Sequence, residues 1–162
     1  MSSSRRRLLA LPAALLLAGC GFSRRRAPRL AFASIALVGF APRSPMAAEL
    51  TRVLREQVQV LPAPERAEVV LEALVDARER SIVASTAAAQ VREVQLRLRL
   101  NFIARTPSGR LLIPRAELLA ARDLSTTESA VLAKGFEEAE LYRELQADVV
   151  QQVLRRLASI VP

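Results

Sequence analysis

The sequence predicts an α+β domain. It would be a two-layer sandwich in which a four-stranded, mostly antiparallel sheet carries two amphipathic helices on one face, in the order β-α-β-β-β-α. Three observations predict it. Within residues 91–104, positions 93–102 alternate polar and apolar side chains without a break, the period of a sheet with one buried and one wet face. Residues 126–158 place apolar side chains at helical spacing along one stripe. The remaining apolar runs are short and bounded by proline, glycine and charged residues, as strands and a short helix require.

The elements follow in order. Residues 30–40 (LAFASIALVGF) form an apolar run of strand length and read as a buried strand. Ser44-Pro45 then opens a helix, because serine is a good N-cap and proline fits the first helical position. Leu50, Val53, Leu54 and Val58 share one face of it, and Pro62 and Pro64 close the connection. Residues 68–83 alternate imperfectly through Val69, Leu71, Ala73 and Val75 and read as a long strand. Residues 86–90 make a polar, alanine-containing turn. In the next strand Val94, Leu96, Leu98, Leu100 and Phe102 take the core face, and Glu93, Gln95, Arg97, Arg99 and Asn101 the wet one. Thr106-Pro107-Ser108-Gly109 turns the chain into a hairpin partner over residues 111–121. Ser125 and Glu128 form a capping box for a long helix with Leu141, Leu145, Val149, Val153 and Leu157 on its apolar stripe. Glu137, Glu140, Glu144, Gln151 and Arg155 lie mainly on its other side.

The amino terminus is of another kind. Arg5-Arg6-Arg7 precede an apolar stretch at residues 8–18, which is too short to span a bilayer, since a spanning helix needs about 20 residues. Together they make a signal peptide. Leu17-Ala18-Gly19-Cys20 resembles a bacterial lipobox: small residues admit the peptidase, and only a thiol forms the thioether to diacylglycerol. The chain therefore divides into a signal peptide at 1–19, a lipidated Cys20 with a basic tether at 20–29, and one domain at 30–162. The covalent lipid on Cys20, with palmitate among its acyl chains, anchors the protein to a membrane, because several chains hold where one does not. Gly21, where an aspartate would favour the inner membrane, directs it to the outer membrane. Arg24, Arg25, Arg26 and Arg29 are placed to meet anionic headgroups. Ser4-Arg5-Arg6-Arg7-Leu8-Leu9 also resembles a twin-arginine signal, with the general secretory route the preferred of the two.

Composition narrows the function. Apolar residues make up 51% of 162 residues and aromatics 4%, so aliphatic side chains fill the core. The formal charge is +8, and removing Arg5, Arg6 and Arg7 with residues 1–19 leaves +5. Such a surplus suits anionic lipid or an acidic glycolipid. Nucleic acid is disfavoured, because the aromatics are scattered rather than interleaved with basic residues. The chain has no histidine and one cysteine, which removes the usual general base, the usual metal ligand and any internal disulfide. Glu137, Glu138, Glu140, Glu144 and Asp148 read as a solvated face with Arg143 interleaved, since a helical di-metal site pairs its carboxylates with histidines. Ser125 beside Asp123 lacks a base, and its capping role accounts for it. The sequence thus predicts no enzyme, no metal site and no cofactor beyond the lipid.

Several landmarks, in order, carry a resemblance. They are Cys20-Gly21-Phe22, then Val91-Arg92-Glu93 with Gln95-Leu96, then Arg122-Asp123-Leu124-Ser125. Leu132-Ala133-Lys134 follows, with Glu137-Glu138 and Leu141-Tyr142, and last come Asp148 and Gln152 with Leu154-Arg155-Arg156-Leu157. Over essentially its whole length the chain resembles the LPS-assembly lipoprotein family LptE, also called rare lipoprotein B. The resemblance implies a non-enzymatic outer-membrane protein that plugs the β-barrel LptD, helps it assemble and binds lipopolysaccharide in transit. It also implies that Lys134, matching a family lysine, binds lipopolysaccharide. The chain departs from the family at Thr86-Ala87-Ala88-Ala89, where some relatives carry a basic turn, and Arg80 or Arg92 is the candidate substitute. An alternative of another class is a generic envelope lipoprotein, structural or small-ligand-binding, that does not touch lipopolysaccharide.

Overall fold

The computed structural model describes residues 29–85, 91–125 and 131–160, without the side chains of 85, 91, 92 and 131–134. The signal peptide, the lipobox with Cys20, the tether up to residue 28, the turn at 86–90 and the capping residue Glu128 all lie outside the described residues.

The chain folds as β1 (Ser34–Val38), α1 (Pro45–Leu54), β2 (Gln59–Leu61), a 3-10 turn (Pro64–Arg66), β3 (Val69–Ser85), β4 (Val91–Arg105), β5 (Leu111–Ser125) and α2 (Val131–Leu157). Among the described residues the class is α+β with two helices, as expected, but the sheet has five strands and is mixed. Its order is β2-β1-β3-β4-β5. β2 and β3 both pair with β1 in parallel, and β3, β4 and β5 follow antiparallel. The expected four strands omitted β2. Three residues are shorter than any readable alternation, and Pro62 and Pro64 mark the same stretch as a connection.

β1 is shorter than the apolar run that contains it. Gly39 ends it with φ +79°, and a Cβ at that position would lie 2.3 Å from the Ala73 carbonyl oxygen. Ser44 caps α1, its hydroxyl accepting from the Ala47 amide at 3.0 Å, and Pro45 takes the first turn. α1 turns Met46, Leu50, Val53 and Leu54 inward. On α2, Leu145, Val149, Val153 and Leu157 are fully buried, joined by Val150 and Leu154. These side chains and Leu96, Leu98, Leu100 and Phe102 of β4 form one core between helices and sheet.

Two details of register correct the sequence reading. A bulge between Ala73 and Val75 inserts Leu74, so Ala73 faces Phe102 but Val75 faces Asn101. Val75 therefore lies on the helix-free face, although alternation grouped it with Leu71 and Ala73. Asn101, expected to face water, is 3% exposed. β5 continues to Ser125, opposite Glu93, rather than ending near residue 121.

Candidate functional site

The bulge in β3 has a chemical consequence. Past it, Asp76, Arg78, Arg80 and Ile82 stand opposite Leu100, Leu98, Leu96 and Val94, and so point to the face that carries the helices. A row of charge thus borders the apolar core. Each charged member has a partner on a helix or on its cap. Asp76 accepts from the Ser44 hydroxyl at 2.5 Å. Arg78 donates to the Gln146 side-chain oxygen at 2.7 Å, and its guanidinium lies 5.0 Å from the centre of the Tyr142 ring. Arg80 pairs with Glu138 at 3.4 Å. Tyr142 donates its hydroxyl to the Glu79 carbonyl at 2.9 Å, on the length of β3 that extends past β1. Burial, and then the charge of Glu138, push that phenol above the ordinary tyrosine range, with Arg78 and Arg80 opposing.

These contacts orient α2. Glu138 meets Arg80, and eight residues later Gln146 meets Arg78 and the Pro45 carbonyl. The helix therefore starts at the end of the sheet where β3 passes into β4, and runs toward α1. Lys134 stands one turn before Glu138, on the same side of α2 and nearer that end. Arg92 lies at the same end, near the start of β4, between Val91 opposite Ser85 and Glu93 opposite Ser125. The backbone thus brings the elements carrying Arg80, Arg92 and Lys134 to one end of the molecule. The side chains of Arg92 and Lys134, and all of Cys20, fall outside the described residues.

Sequence reasoning missed Glu138, Asp148, Arg78 and Tyr142 as members of this region. Asp148 is exposed, as the solvated-face reading expects, and Glu138 is partly covered; both also reach the sheet, at Arg122 (3.0 Å) and at Arg80. The available signal was residues 76–81 (DARERS), where neither parity of the strand is apolar. A strand polar on both faces needs polar partners on both.

The helix-free face carries charge pairs as well, among exposed Leu111 and Leu119. Arg99 pairs with Glu79, and Arg105 with Glu72 at 3.1 Å. Gln95 donates to Asp123 at 2.8 Å and accepts from Arg97. Beside the free edge of β5, a groove of 520 Å³ is lined by Arg122, Asp148, Gln151, Gln152 and Arg155. Among the described residues, no helix is long and apolar enough to cross a membrane.

The comparisons with known proteins agree with this architecture. The model of a protein family described as LptE, lipopolysaccharide-assembly, matches residues 32–157. An uncharacterized lipoprotein B from Nitrosomonas europaea, solved by solution NMR, is 25% identical with a TM-score of 0.72, over 85% of this chain and 89% of that one. A minor lipoprotein from Acinetobacter baumannii is 24% identical with a TM-score of 0.66, over 80% and 93% of the two chains. The rare lipoprotein B from Shewanella oneidensis is 21% identical with a TM-score of 0.65, over 78% and 94%. The last two show a shared fold. A search of curated proteins finds no significant match.

Proposed function

Because this chain belongs to the LptE family of lipopolysaccharide-assembly proteins, we propose that it is an outer-membrane lipoprotein that plugs the barrel LptD, helps it assemble and binds lipopolysaccharide in transit. The family match over residues 32–157 carries this reading. The geometry supports it in two ways. Lipopolysaccharide bears phosphates and acidic sugars, and the elements holding Arg80, Arg92 and Lys134 meet at one end of the sandwich. The interior of a membrane β-barrel is polar, and the helix-free face of the sheet carries the Arg99–Glu79 and Arg105–Glu72 pairs, with Leu111 and Leu119 exposed among them. The role is non-catalytic and uses no cofactor apart from the lipid on Cys20, which holds the domain at the periplasmic side of the outer membrane.

Substitution at Lys134 tests the ligand half of this reading. Lys134→Asp weakens binding of purified lipopolysaccharide at low salt, where screening is least, and leaves the melting temperature unchanged. Charge reversal exceeds the effect of losing one exposed pair, about 0.2–1 kcal/mol, because it adds repulsion against the phosphates. Unchanged affinity at low salt removes Lys134 from the site.

A further inference from the structure

α2 is fastened to the sheet by two kinds of contact. From Leu145 onward it is held by the core: Leu145, Val149, Val150, Val153, Leu154 and Leu157 are at most 1% exposed. Before Leu145 the packing changes. Among residues 135–144 none is buried, and only Glu138, Leu141 and Tyr142 are partly covered. The hydrogen bonds and ion pair that tie this half to the sheet come from long side chains, Glu138 to Arg80 and Tyr142 to the Glu79 carbonyl, with Gln146 to Arg78 at the boundary. Gly135 lies in this half with open space around it and weakens the helix there. Phe136 is 78% exposed, and Ile82 on the neighbouring strand 59%. At the same end of the sheet are Val94, Leu96 and Leu124, all buried.

We propose that the Arg80–Glu138 pair is a latch that a phosphate-bearing acylated lipid opens. Glu138 holds the Arg80 guanidinium until a lipid phosphate displaces it, and the displacement frees residues 135–144 to lift, uncovering to acyl chains the core against which Leu141 and Tyr142 pack, Leu96 within it. This inference rests on the lipopolysaccharide reading above. The exchange is favourable in kind. The existing pair is 3.4 Å long with side chains 48% and 31% exposed, a geometry in which ion pairs are weak. A phosphate offers more acceptor oxygens and more charge to the planar guanidinium than one carboxylate oxygen does. The carboxylate is thus an internal competitor for the ligand. Removing its charge should raise affinity, since any device that holds the closed state taxes binding to the open one.

The test uses the full chain extracted from membranes in a nonionic detergent, with purified lipid A as probe. Glu138→Gln keeps the shape and removes the charge. It should bind lipid A about two- to fivefold more tightly at low salt. Arg80→Gln should bind more weakly. Both substitutions should speed amide hydrogen exchange at residues 135–144 and leave residues 149–157 unchanged. Opposite signs in binding with the same sign in exchange separate a latch from a pair that merely stabilises the fold, which would move both variants together. Glu138→Gln binding no tighter than the parent overturns the latch. So does exchange at residues 135–144 that neither substitution alters, and that result leaves the lipopolysaccharide reading standing. A parent protein that binds no lipid A overturns that reading and the ligand half of the latch with it.

Discussion

Gln146 and Arg78 lie 2.7 Å apart, and through that hydrogen bond the sheet is tied to both helices. The Gln146 oxygen accepts from Arg78 of β3, while its amide donates to the Pro45 carbonyl at the start of α1 at 2.9 Å. Gln146 is 8% exposed, while its partners Arg78 and Pro45 are exposed residues that water can reach when it is lost. Gln146→Ala should cost about 1 kcal/mol in urea unfolding, the typical net worth of a hydrogen bond whose partners can turn to water. The exposed Gln151→Ala should stay within about 0.5 kcal/mol of the parent.

The phase of β4 gives a second contrast. Leu98 is 1% exposed at the centre of the core, and Gln95 is on the opposite face, donating to Asp123. Leu98→Asp should abolish the cooperative thermal transition, because an unpaired carboxylate cannot be buried there. Gln95→Ser should shift the melt only slightly. Equal melting temperatures would contradict the register.

How far the fold was legible follows from particular residues. Unbroken alternation placed Leu98 and Gln95 on the correct faces, and Ser44-Pro45 marked the start of α1 because a cap is a local hydrogen bond. The bulge at Leu74 was hidden, since Val75 continued the apolar alternation while the backbone shifted it to the other face. Asn101 was misread for the opposite reason: its polarity indicated water, and packing buried it. Charge and resemblance single out Arg80 only as a candidate, without its place in the fold. Its partner Glu138 was not legible, because a carboxylate on a helix surface looks solvated until the sheet beneath it is known.

Two glycines separate close approach from backbone strain. Both have positive φ, +79° at Gly39 and +95° at Gly109. A Cβ at Gly109 meets open space, so Gly109→Ala should cost about 1 kcal/mol for the left-handed backbone alone. At Gly39 the Cβ would sit 2.3 Å from the Ala73 carbonyl oxygen, and the β1–β3 pairing must shift. Gly39→Ala should therefore cost more than about 3 kcal/mol by urea unfolding. Equal costs would mean that the strands adjust freely.

Tyr142 is the only tyrosine in the chain, and tryptophan is absent, so phenolate absorbance reports on one site. Burial raises its pKa, the charges of Glu138 and Glu79 add to the rise, and Arg78 and Arg80 oppose it. The fold then holds the phenolic proton more tightly than the unfolded chain does. The associated stability is complete below the unfolded pKa of about 10 and is lost as pH rises through the higher folded value. An alkaline titration should place the midpoint above that of free tyrosine. Tyr142→Phe should lack this part of the alkaline loss of stability. A midpoint at or below the ordinary value would contradict the packing of α2 on β3.

A lipoprotein that works as the partner of a barrel should leave its own membrane together with that barrel. Outer membranes from cells producing the chain with a carboxy-terminal tag are solubilised in mild detergent and the tagged protein is captured. LptD, identified by mass spectrometry, should be recovered in about equal molar amount, and Cys20→Ser, which cannot form the thioether, should recover much less. Capture of the mature, lipidated chain from the outer membrane without LptD would contradict this role.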